Sequence, residues 1–161
     1  MNGERRLSLD TNILVYAMDR DAGAKRDLAI QIVDRAVDCD TVLTLQVLSE
    51  FFAATTRKGK MPPEEARAQV MDWLTLFPLV AAKPTTWPKA MRGVLDHGFS
   101  FWDAMLCATA QEAGVNLLIS EDFQHDRVLE GLRFCNPFVL EGPIQELFTP
   151  PADEHAPGNE V

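Results

Sequence analysis

A chain of 161 residues, 47% hydrophobic and 24% charged, is long enough to bury its own core and too apolar to be disordered. Its formal net charge of -9 excludes a protein that coats nucleic acid through bulk positive charge. It leaves open one that meets nucleic acid through a metal, and it suits a basic protein partner.

The first residues, Met-Asn-Gly-Glu-Arg-Arg, carry no secretory hydrophobic region, and no stretch approaches the length of a membrane span. A cytoplasmic protein with no membrane partner is expected. Leu7-Ser-Leu reads as a short buried strand, and Asn12 to Asp19 as a short helix. Ala24 to Asp38 spaces Leu28, Ile32, Val33, Ala36 and Val37 as a helix does. Thr41 to Thr44 is a second short strand. Leu45 to Lys58 is a helix with Leu45, Leu48, Phe52 and Thr55 on one side. Pro62-Pro63-Glu64-Glu65 starts another helix, because proline and acids suit a first turn. It runs to about Leu76 and is stopped by Pro78. Leu79 to Ala82 is a possible strand. Thr85 to His97 is a helix ended by Gly98, and Ser100 to Ala113 a helix closed by Gly114. Val115 to Ile119 is a clear strand. Phe134 to Leu140 holds one more, interrupted by Asn136-Pro137.

Short strands alternating with helices indicate a parallel α/β sheet covered on both faces. One domain over residues 1–148 is expected, followed by a polar, proline-rich tail over residues 149–161 that reads as disordered. Cys39, Cys107 and Cys135 are far apart and odd in number, so buried free thiols are expected rather than a disulfide framework or a zinc site.

Four core-like segments each carry or end in an acid with no basic neighbour. Asp10 is the only charge in Leu7 to Met18. Glu50 is alone between Thr41 and Thr56, and Asp103 between Gly98 and Gln111. The uncharged strand Gly114 to Ser120 runs into Glu121-Asp122. A buried carboxylate without a partner costs several kcal/mol, and converging carboxylates repel one another. A divalent cation relieves both, and hard carboxylate and water oxygens favour Mg²⁺ or Mn²⁺. The placement agrees, since sites in parallel α/β sheets form beyond the carboxyl ends of strands. Each acid also has a plain structural explanation. Asp10 caps the next helix, Glu50 is an exposed helix acid, Asp103 completes a capping box with Ser100, and Asp122 sits in a turn with Glu121. Four together, each in an uncharged context, outweigh these.

Leu9-Asp-Thr-Asn-Ile-Leu, Leu48-Ser-Glu-Phe, Phe101-Trp-Asp-Ala-Met-Leu, Leu118-Ile-Ser-Glu-Asp-Phe and Asn136-Pro-Phe resemble, in order, the motifs of the PIN-domain family. The nearest branch is the VapC-type toxin ribonucleases of toxin–antitoxin modules. The resemblance runs from about Leu7 to Leu140. It implies a three-layer α/β/α sandwich with a short central parallel sheet. It also implies a metal-dependent endoribonuclease, in which Mg²⁺ or Mn²⁺ activates a water that attacks an RNA phosphodiester. Carried over by motif, Asp10, Glu50, Asp103 and Asp122 are the catalytic and metal-holding acids, with Thr11, Asn12 and Ser120 shaping the pocket. Glu121 and Asp126 compete with Asp122 for the fourth place. The implied partners are an RNA substrate, a cognate antitoxin that lies over the acids, and a second copy in a homodimer.

Arg57, Lys58 and Lys60 form a basic cluster that suits phosphates, though a cationic helix end explains it more simply. Trp87 and Trp102 suit base stacking, yet their spacing favours core positions. Of His97, His125 and His155, only His125 lies beside an acid motif. Among rivals, a receiver-like phosphoacceptor needs a late lysine, and the last here is Lys89. A haloacid-dehalogenase-type phosphatase needs two aspartates one residue apart, where this chain has Asp10-Thr11-Asn12. A PIN-like nuclease outside any toxin module, or a PIN-like binding module without catalysis, remain as alternatives.

Overall fold

A computed structural model describes residues 4–57 and 59–149. Six strands and six α-helices follow one another: β1 (Leu7–Leu9), α1 (Thr11–Met18), α2 (Ala24–Val37), β2 (Leu43–Thr44), α3 (Leu45–Arg57), α4 (Pro63–Leu76), β3 (Leu79–Val80), α5 (Thr86–His97), α6 (Phe101–Glu112), β4 (Leu117–Ile119), β5 (Val128–Leu129) and β6 (Leu132–Cys135). Two 3₁₀ turns close the described chain at Pro137–Val139 and Ile144–Leu147.

The main sheet runs β1-β4-β6-β5, with β1, β4 and β6 parallel and β5 antiparallel at the edge. A second pair, β2-β3, is also parallel, and a bridge from Leu7 to Thr41 links it to β1. Every residue of β1 and β4 is buried. Successive strand residues point to opposite faces, so this burial means helices cover both sides. The expected helix-covered, mainly parallel sheet is therefore present.

One apolar core runs from Leu7 through Phe51 and Phe134 to Leu147. A smaller one joins α5 to α6 through Ala90, Ala104 and Ala108. Gly93 lets those helices approach, since a Cβ there would stand 3.1 Å from the Ala104 Cβ. This contact fixes the start of α6, where Asp103 lies.

Two local readings are corrected. The hairpin β5–β6 replaces a single strand over Phe134 to Leu140. Its turn places Glu130 at φ 46° and Gly131 at φ 82°, a positive pair that matches the twist of a tight hairpin. Beyond Cys135, Pro137 has no N–H to extend a ladder, and the Asn136 side chain instead accepts from Phe138 N–H at 3.0 Å. On α3 the buried face is Val47, Leu48, Phe51 and Thr55, while Leu45 and Phe52 are exposed. The three cysteines are free, as expected, with Cys107 and Cys135 buried. The tail expectation lies outside the described residues, apart from Thr149.

Candidate active site

Asp10 leaves the carboxyl end of β1. Its N–H still pairs with the Ile119 carbonyl of β4 at 3.0 Å, so the two strand ends are held side by side. From there its carboxylate turns inward, 5% exposed. Thr11 N–H donates to Oδ1 at 2.7 Å, and Ser120 Oγ, just past β4, donates to Oδ2 at 2.6 Å. Asn12 Nδ2 spans the gap, donating to Ser120 Oγ at 3.2 Å and to Asp122 Oδ2 at 3.1 Å. Asp122 N–H also donates to Ser120 Oγ at 3.1 Å, which orients the turn that carries this acid.

Glu50 reaches the same place from α3. Its Oε2 accepts from Thr11 Oγ1 at 2.9 Å and its Oε1 from Gln46 Nε2 at 2.7 Å. Asp103 arrives in the first turn of α6. Ser100 Oγ caps that helix by accepting from Asp103 N–H at 3.2 Å. Ser100 thus caps the helix as the capping explanation requires, and the charges of Asp122 and Glu50 also act on the Asp103 carboxylate.

The electrostatics follow from this crowding. Burial pushes Asp10 up from an ordinary 3.8 to about 7. Bonds from Ser120 and Thr11 oppose the rise, and the charges of Asp122 and Asp103 add to it. Burial likewise raises Asp103, opposed by Ser100 and reinforced by Asp122 and Glu50. No salt bridge reaches any of the four acids among the described residues. Among the described residues these negative charges are therefore offset by hydrogen bonds alone and not by a cation.

The donor set is all hard oxygen, which fits Mg²⁺ or Mn²⁺. Among the described residues, no three His, Cys, Asp or Glu side chains already stand grouped around an ion position. An ion of that kind keeps several waters and takes only one or two carboxylates directly.

The two competitors for the fourth place are engaged elsewhere. Glu121 accepts from Tyr16 OH and from Lys25 Nζ at 2.8 Å. Burial would raise Glu121, but those two bonds prevail and hold it below its ordinary range. Lys25 also lies 4.9 Å from the Tyr16 ring centre and 5.0 Å from that of Phe138. Asp126 pairs with Arg133 at 2.7 Å. Of the basic cluster, Lys60 pairs with Asp19, Arg57 is exposed at the end of α3, and Lys58 lies outside the described residues. His125 Nδ1 accepts from Asn136 N–H at 3.2 Å, a structural bond that accounts for its position beside the motif. His155 lies outside the described residues.

Trp87 and Trp102 are not core residues, being 55% and 61% exposed. Helical spacing alone does not say which face meets the core. Gln46 was missed altogether. It lies one turn before Glu50 and also donates to the Trp102 carbonyl at 2.9 Å, tying α3 to the start of α6. The i,i+4 relation of Gln46 to Glu50 was the available signal.

Residues 7–130 match the family model described as the PIN domain. No curated protein matches the chain significantly in sequence. Among solved structures, VapC20 of Mycobacterium tuberculosis, a sarcin-ricin loop cleaving toxin, is similar with a TM-score of 0.59. It is 19% identical over 72% of this chain and 91% of its own. A toxin–antitoxin complex from Klebsiella pneumoniae gives 0.60 at 19% identity, covering 81% of this chain and 97% of that one. VapBC2 from Rickettsia felis, bound to a DNA fragment from its promoter, gives 0.59 at 14%, covering 80% and 96%. At these identities the likeness is one of fold.

Proposed function

The chain belongs to the PIN-domain family, and from that premise we propose that it is a metal-dependent endoribonuclease, the toxin of a type II toxin–antitoxin pair. One observation carries the reading. Asp10, Glu50, Asp103 and Asp122 come from four separate segments, the charges of Asp103 and Asp122 act on Asp10 and those of Asp122 and Glu50 on Asp103, and among the described residues none of the four is in a salt bridge. A binding module without catalysis has no need to hold buried Asp10 in so unfavourable a field.

In this reading Asp10, Glu50, Asp103 and Asp122 hold Mg²⁺ or Mn²⁺. Such an ion, when bound, acidifies a coordinated water and offsets charge on the phosphate and the leaving oxygen. The chain's own residues do the positioning. Ser120 and Thr11 fix both oxygens of Asp10, and Thr11 with Gln46 fixes both oxygens of Glu50. Asn12 holds Asp122 toward Asp10. Side chains locked in this way need little rearrangement when a charged ligand arrives.

The toxin assignment is supported by the kind of protein that shares the fold. Solved relatives include a sarcin-ricin loop cleaving toxin and toxin–antitoxin complexes. An antitoxin partner and a homodimer belong to the same proposal, as does a nuclease domain over residues 1–148. No helix among the described residues is long and apolar enough to cross a membrane.

The test is cleavage of total RNA by the purified chain in Mg²⁺, Mn²⁺ or EDTA, with Asp10→Asn and Asp103→Asn purified in parallel. Cuts at discrete sites that need metal and vanish in both variants are expected. Equal cleavage by wild type and variants would reject the reading.

A further inference from the structure

We propose that the groove between α3 and the start of α6 is a subsite for one nucleotide of single-stranded RNA, with its base stacked on Trp102 and its phosphate on Arg57. The choice of RNA rests on the nuclease reading above. The subsite itself rests on four features of the groove.

It reaches the candidate acids, since Thr11 and Glu50 line it. Its floor is made of small side chains, Ala53 and Ala54 of α3 with Ala81 and Ala82 beyond β3, which leaves room for a flat ring. Its wall is Trp102, one residue from Asp103 and 61% exposed. Phe101 packs edge-on against that ring with centres 4.9 Å apart, and Gln46 fixes the backbone that carries it through the Trp102 carbonyl at 2.9 Å. A large aromatic left exposed beside the candidate acids suits a stacking platform for a base.

The far end carries the charge. Among the described residues, Arg57 is the only cation lining the groove, and no acid pairs with it. It lies seven residues after Glu50 on the same helix, two turns or about 10.5 Å along one face. A guanidinium there meets a phosphate displaced along the strand from the one at the acids. A single strand fits better than a duplex, because a base must leave its stack before a side-chain ring can take its place.

The experiment has two readouts on the full chain. The first is steady-state cleavage of a single-stranded RNA by wild type, Trp102→Ala, Trp102→Phe and Arg57→Gln. Trp102→Ala is expected to raise KM roughly ten-fold while kcat stays within about two-fold. Trp102→Phe should recover most of that loss, which a folding defect would not allow. Arg57→Gln should raise KM and flatten its salt dependence. The second readout needs no cleavage. In a Trp87→Phe chain, tryptophan emission is titrated in Mg²⁺ with a short single-stranded RNA, with its duplex, and with the same strand made abasic. Quenching by the single strand alone is expected.

Equal quenching by the abasic strand would overturn the subsite, and so would an unchanged KM in Trp102→Ala. If Trp102→Ala separates a dimer and leaves KM alone, the ring is a subunit contact and the proposal fails. Base-dependent quenching without any cleavage would support the subsite and reject the nuclease reading. Cleavage indifferent to Trp102 would do the reverse.

Discussion

Ser120 Oγ donates to Asp10 Oδ2 across 2.6 Å, closing the gap between the ends of β1 and β4 with one buried hydrogen bond. The same oxygen accepts from Asp122 N–H and Asn12 Nδ2, so a single hydroxyl orders two acids and the amide between them. Ser120→Ala removes the strongest influence holding Asp10 down, so its pKa should rise further. The acid limb of the pH profile of kcat/KM should move to higher pH. Loss of the shared hydroxyl should also cost on the order of 1–2 kcal/mol in urea unfolding. An unmoved limb would contradict the coupling.

Asp10 makes the metal-free protein sensitive to pH in a defined direction. Its folded pKa, about 7, lies above the ordinary 3.8, so the folded chain binds this proton more tightly than the unfolded chain between those values. The stabilising share is full below pH 4 and is lost as pH rises to 7. It amounts to a few kcal/mol at most. In EDTA, Asp10→Asn should therefore gain stability over wild type as pH increases from 5 to 8, measured by urea midpoints. The opposite trend would mean that the carboxylate is compensated within the fold.

Metal should reverse that order. An ion that binds only the folded state stabilises it by mass action. Mg²⁺ or Mn²⁺ should raise the Tm of wild type and do so far less in Asp10→Asn. Equal shifts in the two proteins would place the ion elsewhere.

Glu121 and Asp122 are neighbours with different duties. Glu121 is held by Tyr16 and Lys25, away from the other acids, whereas Asp122 is drawn toward Asp10 through Asn12. Asp122→Asn should lower cleavage at least ten-fold, and Glu121→Gln should retain most of it. Comparing the two rates under one metal concentration decides which acid completes the pocket.

Phe51 is wholly buried on α3, one residue after Glu50, and meets Trp73 of α4 edge-on at 4.7 Å. Phe51→Ala should cost roughly 3–5 kcal/mol by denaturant unfolding. A loss below about 1 kcal/mol would show that this part of the core can collapse around the gap.

Most elements could be read from local chemistry. The 3.6-residue spacing from Ala24 to Val37, the proline-led start of α4 and the glycine after α5 act within a few residues, and the helices lie there. The acids of the pocket were visible for a similar reason, since a lone charge in an apolar segment is costly wherever that segment packs. Which face of α3 turns inward was not visible. Leu45 and Phe52 look as apolar as Val47 and Phe51, and only the position of α4 and the sheet separates them. The choice of Asp122 over Glu121 likewise needed the fold, because Tyr16 and Lys25 lie about a hundred residues away in the chain. So did the exposure of Trp102 and its link to Gln46, which depend on α6 meeting α3. Spacing along a chain determines local conformation and marks which residues are costly to bury. Contacts between residues distant in sequence decide which of them face one another.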